Sequence, residues 1–311
     1  MTAAPSVLAQ QYPSKPVTIV VPAAVGGPSD TVARVVGAAL AKQLQGTVVI
    51  ENQGGAGGTI GAARVARASA DGYTLYLYHI AHSTWPALYR SLTFDVQNDF
   101  QPIGLINDVP MTLVSKKDLP AKDFKELLTW IKENGKKVTI GNAGIGSASH
   151  LCGLLFMQAI QTELTSVSYK GTGPAMKDLL GGEIDLMCDQ TTNTTAQIKS
   201  GNIKVYAVTT TSRVPTLSDV PTVNELGLKN FELSAWHGLW APKGTPKPIV
   251  DQLSKALQLA IKDPAVTQRF ADLGAVPVTE ASATPSALQG RVKSEVERWT
   301  PIIKSAKQYA D

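Results

Sequence analysis

The chain has 311 residues, of which 43% are hydrophobic and only 17% charged; 29 basic and 25 acidic residues leave a net charge of +4. This much apolar surface offsets chain entropy and excludes disorder, and two cysteines in so long a chain exclude a disulfide-framework miniprotein. The longest apolar runs, 17–25 and 151–157, fall well short of a membrane span, and so weak a net charge makes no case for nucleic acid as a partner.

Length alone suggests two domains. Residues 1–10, small and apolar, read either as the end of a secretory signal, with Val7–Ala9 near a cleavage signal, or as an ordinary tail. The run VTIVVP (17–22) is a buried parallel strand ended by proline. A helix follows, with Pro28 at its first position and Val32, Val35, Val36, Ala39 and Leu40 at helical spacing. Strand 47–51, the glycine-rich NQGGAGGTIG and a helix to about Arg67 form the next unit. Strand 73–80 then leads into polar HSTWPALY. This rhythm predicts a parallel sheet with right-handed crossovers. Two separate extended segments are expected at 103–108 and 111–116. The βα rhythm then restarts: helix 123–133, strand 138–142, a helix from near Ser147, strand 167–169 and helix 174–180. Strand 183–189, helix 196–199 and strand 205–210 complete the set, and a loop rich in Pro, Ser and Thr (211–224) follows. The chain closes with strand 232–240, helices 246–262 and 264–273, a short strand at 275–278 and a helix from Pro285 to about Lys307.

The expected fold is therefore α/β and two-lobed, each lobe a mostly parallel sheet flanked by helices and joined by two crossover strands. Residues 11–107 and 241–311 form one lobe and 108–240 the other. The natural motion of this design is hinge closure on a ligand.

Three glycine-rich turns, VGGPSDT (25–31), AGIGSAS (143–149) and KGTGPAM (170–176), lie at carboxyl ends of predicted strands, where open parallel sheets bind ligands. Each leads into a helix, whose first turn offers unpaired N–H groups and a partial positive charge. Either these are routine helix starts, or they face one cleft and receive a carboxylate or phosphate. The candidate ligand residues are Ala24, Val25, Gly26, Gly27, Ser29 and Asp30 in the first turn, Gly144 and Ser147 in the second, and Gly171, Thr172, Gly173, Pro174 and Ala175 in the third. His79, His82 and Ser83, after the third strand, either face the cleft as donors to an acidic ligand or make local bonds. Asp189 either meets a ligand donor or caps the next turn, and TTNTT (191–195) lies close by. Trp85, Trp236, Trp240 and Tyr169 either stack on a ligand or anchor the hinge. No P-loop, G-x-G-x-x-G or nucleophile elbow occurs, and the four histidines have no zinc spacing, so neither cofactor nor metal is expected. Ser147, His150 and Asp189 can be drawn as a hydrolytic triad, but Ser147 fits a helix cap and nothing marks an oxyanion hole. Cys152 and Cys188 are either one disulfide or two buried thiols.

Six motifs together are highly specific: YPSKPVTIVVPAAVGGPSDTVAR (12–34), ENQGGAGGTIGAARVA (51–66), DGYTLYL (71–77), YKGTGPAMKDLLGGEIDL (169–186), LSDVPTVNELG (217–227) and WHGLWAPKGTP (236–246). Through them nearly the whole chain resembles the solute receptors of the tripartite tricarboxylate transporter system, the Bug receptors. The resemblance implies a two-lobed fold like the type II periplasmic binding proteins, in a monomer exported to the periplasm. It implies capture of a small carboxylate (a di- or tricarboxylate or an aromatic acid), with acidic amino acids also open, and delivery to membrane permease subunits, without chemistry or cofactor. In this family the loops matching Ala24–Thr31 and Lys170–Ala175 grip a ligand carboxylate by backbone N–H groups, often through ordered waters, and a segment matching AGIGSAS faces the cleft. The family commonly has a bulky aromatic just after the first-strand proline; Ala23 stands there instead and implies a roomier pocket. Export to an oxidising compartment favours a Cys152–Cys188 disulfide. The rival readings, an α/β hydrolase and a cytoplasmic ligand-sensing domain, need an activated nucleophile or an output module, and neither is evident.

Overall fold

A computed structural model describes residues 12–229, 231–306 and 309–310. The tail 1–10 and the expected helix end at Lys307 lie outside them. Strand β1 (Val17–Val21) is a β-branched run buried at every position but Thr18, and it ends at Pro22. Helix α1 (Pro28–Leu44) starts on Pro28, whose missing N–H would have no partner there, and closes on Gln45 in a left-handed conformation. Strand β2 (Val48–Asn52), helix α2 (Thr59–Ala66) and strand β3 (Thr74–His79) follow, with β2 and β3 parallel to β1 on either side. Short helix α3 (Trp85–Leu88) comes after one 3₁₀ turn.

The two extended segments expected next are one 17-residue strand, β4 (Phe100–Lys116). Two prolines argue for a break, but Pro110 sits where β4 changes partners, so its missing N–H interrupts no ladder. After it come α4 (Phe124–Asn134), β5 (Thr139–Asn142), α5 (Ala148–Ile160), β6 (Thr165–Ser168) and α6 (Thr172–Gly181). Then β7 (Leu186–Gln190) runs directly into α7 (Thr191–Lys199), so TTNTT is the first turn of a helix and not a loop. Strands β8 (Ile203–Val208) and β9 (Ser234–Pro242), helices α8 (Lys247–Ala260) and α9 (Pro264–Asp272), strand β10 (Val276–Pro277) and helix α10 (Pro285–Ala306) complete the chain.

The strand order is β2-β1-β3-β9-β4-β7-β5-β6, with β8 and β10 also on β4. The first half of β4 pairs antiparallel with β9 and β10, its second half with β7 and β8. One strand thus serves two sheet halves. The return crossing falls just before β9: Leu233 N–H still donates to Thr209 O in the second half (3.1 Å), whereas Ser234 onward pairs with the first half of β4. Helix α8 packs on α1 and α10 on α3, which returns the chain's end to the first half. Trp85, Trp236, Trp240 and Trp299 are fully buried anchors of the larger core, which continues into the second half through Leu127, Ile140 and Leu151, and a smaller cluster around Val114, Met176, Leu179 and Met187 lies in the second half alone. A disulfide joins Cys152 on α5 to Cys188 on β7, with Cα atoms 5.8 Å apart.

Candidate functional site

The carboxyl ends of β1, β2, β3, β5 and β7 converge on a cavity of about 700 Å³ between the two halves. Of the expected residues, Ala24, Gly27, Ser29, His79, Gly144, Ser147, Gly171, Thr172 and Asp189 line it. Pro22, Ala23, Pro28, Tyr169 and Lys170 lie beside them. Ala23 leaves this part of the wall without a bulky side chain.

Helices α1 and α6 meet the cavity with uncapped starts, as do α2 after Gly58 and α7 after Gln190. Neither Gly27 before α1 nor Gly171 before α6 contributes a side-chain cap, so the first-turn N–H groups of Ser29 and Thr172, both on the cavity wall, are left to whatever fills the space. The two starts face each other closely. A Cβ at Gly27 would lie 3.2 Å from Thr172 Oγ1, and one at Gly171 3.0 Å from Ala24 Cβ. The start of α5 differs. Ser147 Oγ accepts from His150 N–H, Ser149 Oγ from Ala143 N–H, Asn142 Oδ1 from Gly144 N–H and His150 Nδ1 from Gly146 N–H. This turn shapes the wall while its N–H groups are largely engaged. Ser147 is therefore a helix cap and not a nucleophile.

Other expected residues stand off the cavity. Val25 is 68% exposed and, with Gly26, turns outward. Asp30 is buried, but its Oδ2 accepts from Gly26 N–H (2.9 Å) and Arg34 Nε (3.0 Å), which braces the loop from behind. Burial would raise its pKa, and the bonds from Arg34, Gly26 and Asn52 together hold it below the usual value. Gly173 and Pro174 are exposed, whereas Ala175 packs in the smaller core. His82 and Ser83 also miss the cleft, because the turn after β3 dips into the core. There His82 Nε2 donates to Val96 O (2.8 Å), Nδ1 accepts from Tyr76 (3.3 Å), and the ring packs 4.8 Å from Trp240. Trp236 and Trp240 are core anchors. Trp85 is buried too, though its Nε1 donates to Gly57 O on the cavity wall (3.2 Å).

The glycine-rich loop Gly54–Gly58 was not expected at the site, yet it forms one wall, with Tyr78, Tyr89 and Gln190 nearby. The signal was its position after a strand, the same as in the first turn. Tyr78 and Tyr89 fix it by donating to Gly57 O (3.1 Å) and Ala56 O (2.7 Å).

Side-chain charge is sparse on the cavity wall. Lys170, exposed, is the one basic residue among the lining residues, and Asp189 the one acid. Burial pulls the His79 pKa down to about 3, so its ring is neutral. Its Nδ1 accepts from Ala81 N–H (3.1 Å), which leaves Nε2–H as the donor. His237, behind it, is likewise held neutral by burial and by His79. It links Ser29 Oγ (3.2 Å) on α1 to Asn107 Oδ1 (3.0 Å) on β4. Asp189 is raised to about 7 by burial, against which the bonds from Asn193 and the Gln190 N–H act. Main-chain dipoles, and not side-chain charge, are what this cavity offers an anion. No group of three or more His, Cys, Asp or Glu among the described residues is placed to hold a metal.

The family model described as the tripartite tricarboxylate transporter family receptor matches residues 32–307. A protein of Agrobacterium vitis, described as the UPF0065 protein in the TAR-I ttuE-ttuC' intergenic region, is 57% identical over 95% of this chain and 85% of its own length. Among solved structures, the periplasmic binding protein BugD is 51% identical with a TM-score of 0.93, over 96% of this chain and 99% of its own. MatC of Rhodopseudomonas palustris, solved with bound malate, is 39% identical with a TM-score of 0.90, over 94% of this chain and all of its own.

Proposed function

The chain belongs to the tripartite tricarboxylate transporter receptor family, a family of solute-binding receptors and not of enzymes, and we propose that it is a periplasmic receptor which captures a small carboxylate between its halves and presents it, as a monomer, to a membrane permease. The observation that carries this reading is the facing pair of uncapped helix starts, α1 and α6, on a cavity with one exposed lysine. Aligned N–H groups hold an anion without a counter-charge, and they do so most strongly once water is excluded. The malate bound by MatC supports a small dicarboxylate as ligand. A cavity of about 700 Å³ also leaves room for bridging waters or a longer acid.

The two lobes divide at the partner change in β4, near 110–111, and at the strand entry near 233–234. Closure about these points brings the α6 start from the second lobe onto the α1 start of the first. Thermal unfolding against a panel of di-, tricarboxylic and aromatic acids tests the reading. An acid present at 100 times its Kd stabilises by about 2.7 kcal/mol, a rise of about 5 °C for a chain of this size. A response to nucleotides or amines but to no organic acid sinks it.

A further inference from the structure

The cavity wall also carries two side-chain acceptors, and their interpretation rests on the carboxylate-receptor reading above. Where β7 passes into α7, Asp189 and Gln190 line the cavity, 1% and 3% exposed. Asp189 Oδ2 accepts from Asn193 Nδ2 (2.6 Å), but Asp189 Oδ1 and Gln190 Oε1 are buried with no hydrogen-bond donor among the described residues. Buried acceptors left unpaired are costly, a carboxylate oxygen most of all. With Asp189 ionised, a second ligand carboxylate brought to this wall is repelled, whereas an O–H or N–H group supplies what both oxygens lack. We propose that Asp189 and Gln190 form an acceptor pair that selects acids bearing a hydroxyl or ammonium group on their carbon chain over the same acids without it.

The pair is built to hold its position. Asn193 in the first turn of α7 fixes the Asp189 carboxyl, and the Cys152–Cys188 disulfide ties the preceding residue to α5. The backbone donors of α1 and α6 recognise any carboxylate, so discrimination between acids falls to side chains such as these.

The test is calorimetric titration at pH 8, where Asp189 is ionised, of wild type, Asp189→Asn and Gln190→Met with matched acids: succinate, malate and aspartate, then tricarballylate and citrate. In wild type the donor-bearing member of a set binds at least tenfold more tightly than the bare one. A preference for malate or citrate identifies a hydroxyl as the recognised group; one for aspartate identifies an ammonium. In Asp189→Asn the amide oxygen keeps the bond from Asn193 and the amide nitrogen replaces the free acceptor. That preference then falls at least tenfold, the donor-bearing acid losing affinity relative to the bare one. Gln190→Met lowers the preference in the same direction and supplies the measurement if the first variant does not fold. Wild-type affinities that ignore the donor overturn the inference and leave the carboxylate reading standing, as does an equal loss for bare and donor-bearing acids in the variants. Binding of none of these or any other organic acid overturns both.

Discussion

Asp30 and Asp189 are both buried near the cleft and have opposite protonation behaviour. Asp30 has Arg34 and two further hydrogen-bond donors and is held ionised. Asp189 has Asn193 and one backbone N–H, no cation, and its carboxyl titrates near 7. Because the Asp189 pKa is raised on folding, the folded chain binds the proton more readily than the unfolded one between about pH 4 and 7. Stability from this group is therefore complete below pH 4 and is lost as pH rises through 7. Ligand-free Asp189→Asn is expected to melt close to wild type near pH 4. It should melt higher at pH 8, by a margin on the order of a few kcal/mol, measured by calorimetry across that range. A difference independent of pH contradicts the burial of an unpaired charge. At this scale the wall positions at strand ends were legible in the sequence, Gly27, Ser29, Gly171 and Asp189 among them. The inward turn of His82 was not, because its ring is held by Tyr76, Phe100 and Trp240, contacts that span up to 158 positions of chain.

Elements were legible where periodicity and punctuation agree. Pro28 marks the start of α1, and Asp123 caps α4 by accepting from Glu126 N–H. They were not legible where two signals conflict. Pro102 and Pro110 argue against a strand, yet β4 runs through both because its pairing shifts or changes hands there. TTNTT has poor helix propensity, but it lies against β7 and β4, and Thr194 bonds Thr112 (2.8 Å), so tertiary packing decides. The disulfide acts at the same scale, fastening helix α5 to strand β7. Replacing both cysteines by serine is expected to cost about 2–4 kcal/mol in unfolding free energy. Denaturant titration under non-reducing conditions checks this, and an unchanged midpoint contradicts it.

For the whole molecule, the strand-helix rhythm and the late return of helices were enough to read two halves and a cleft. The return point itself was set by pairing: β9 bonds along its length to β3 and the first half of β4. Glycines allow the halves to meet. Gly57 in the first half has φ +61°, and a Cβ there would fall 2.7 Å from Ile145 O in the second; one at Gly146 would fall 2.6 Å from Leu88 Cδ1. Gly57→Ala is expected to hold the halves apart, weakening binding of whichever acid the wild type takes by tenfold or more. Its radius of gyration by small-angle scattering should then stay at the unliganded value when that acid is added. A variant that contracts and binds like wild type rules out this contact as a limit on closure. The uncapped helix starts have one more consequence, for descent. A grip made of main-chain N–H groups survives most side-chain replacement around it, since any residue but proline presents the same donor. On the proposed reading, a few substitutions near Asp189, Gln190 and Asn193 would exchange one acid for another without rebuilding the part that holds the charge, so that descendants of one receptor could differ in diet while sharing its grip.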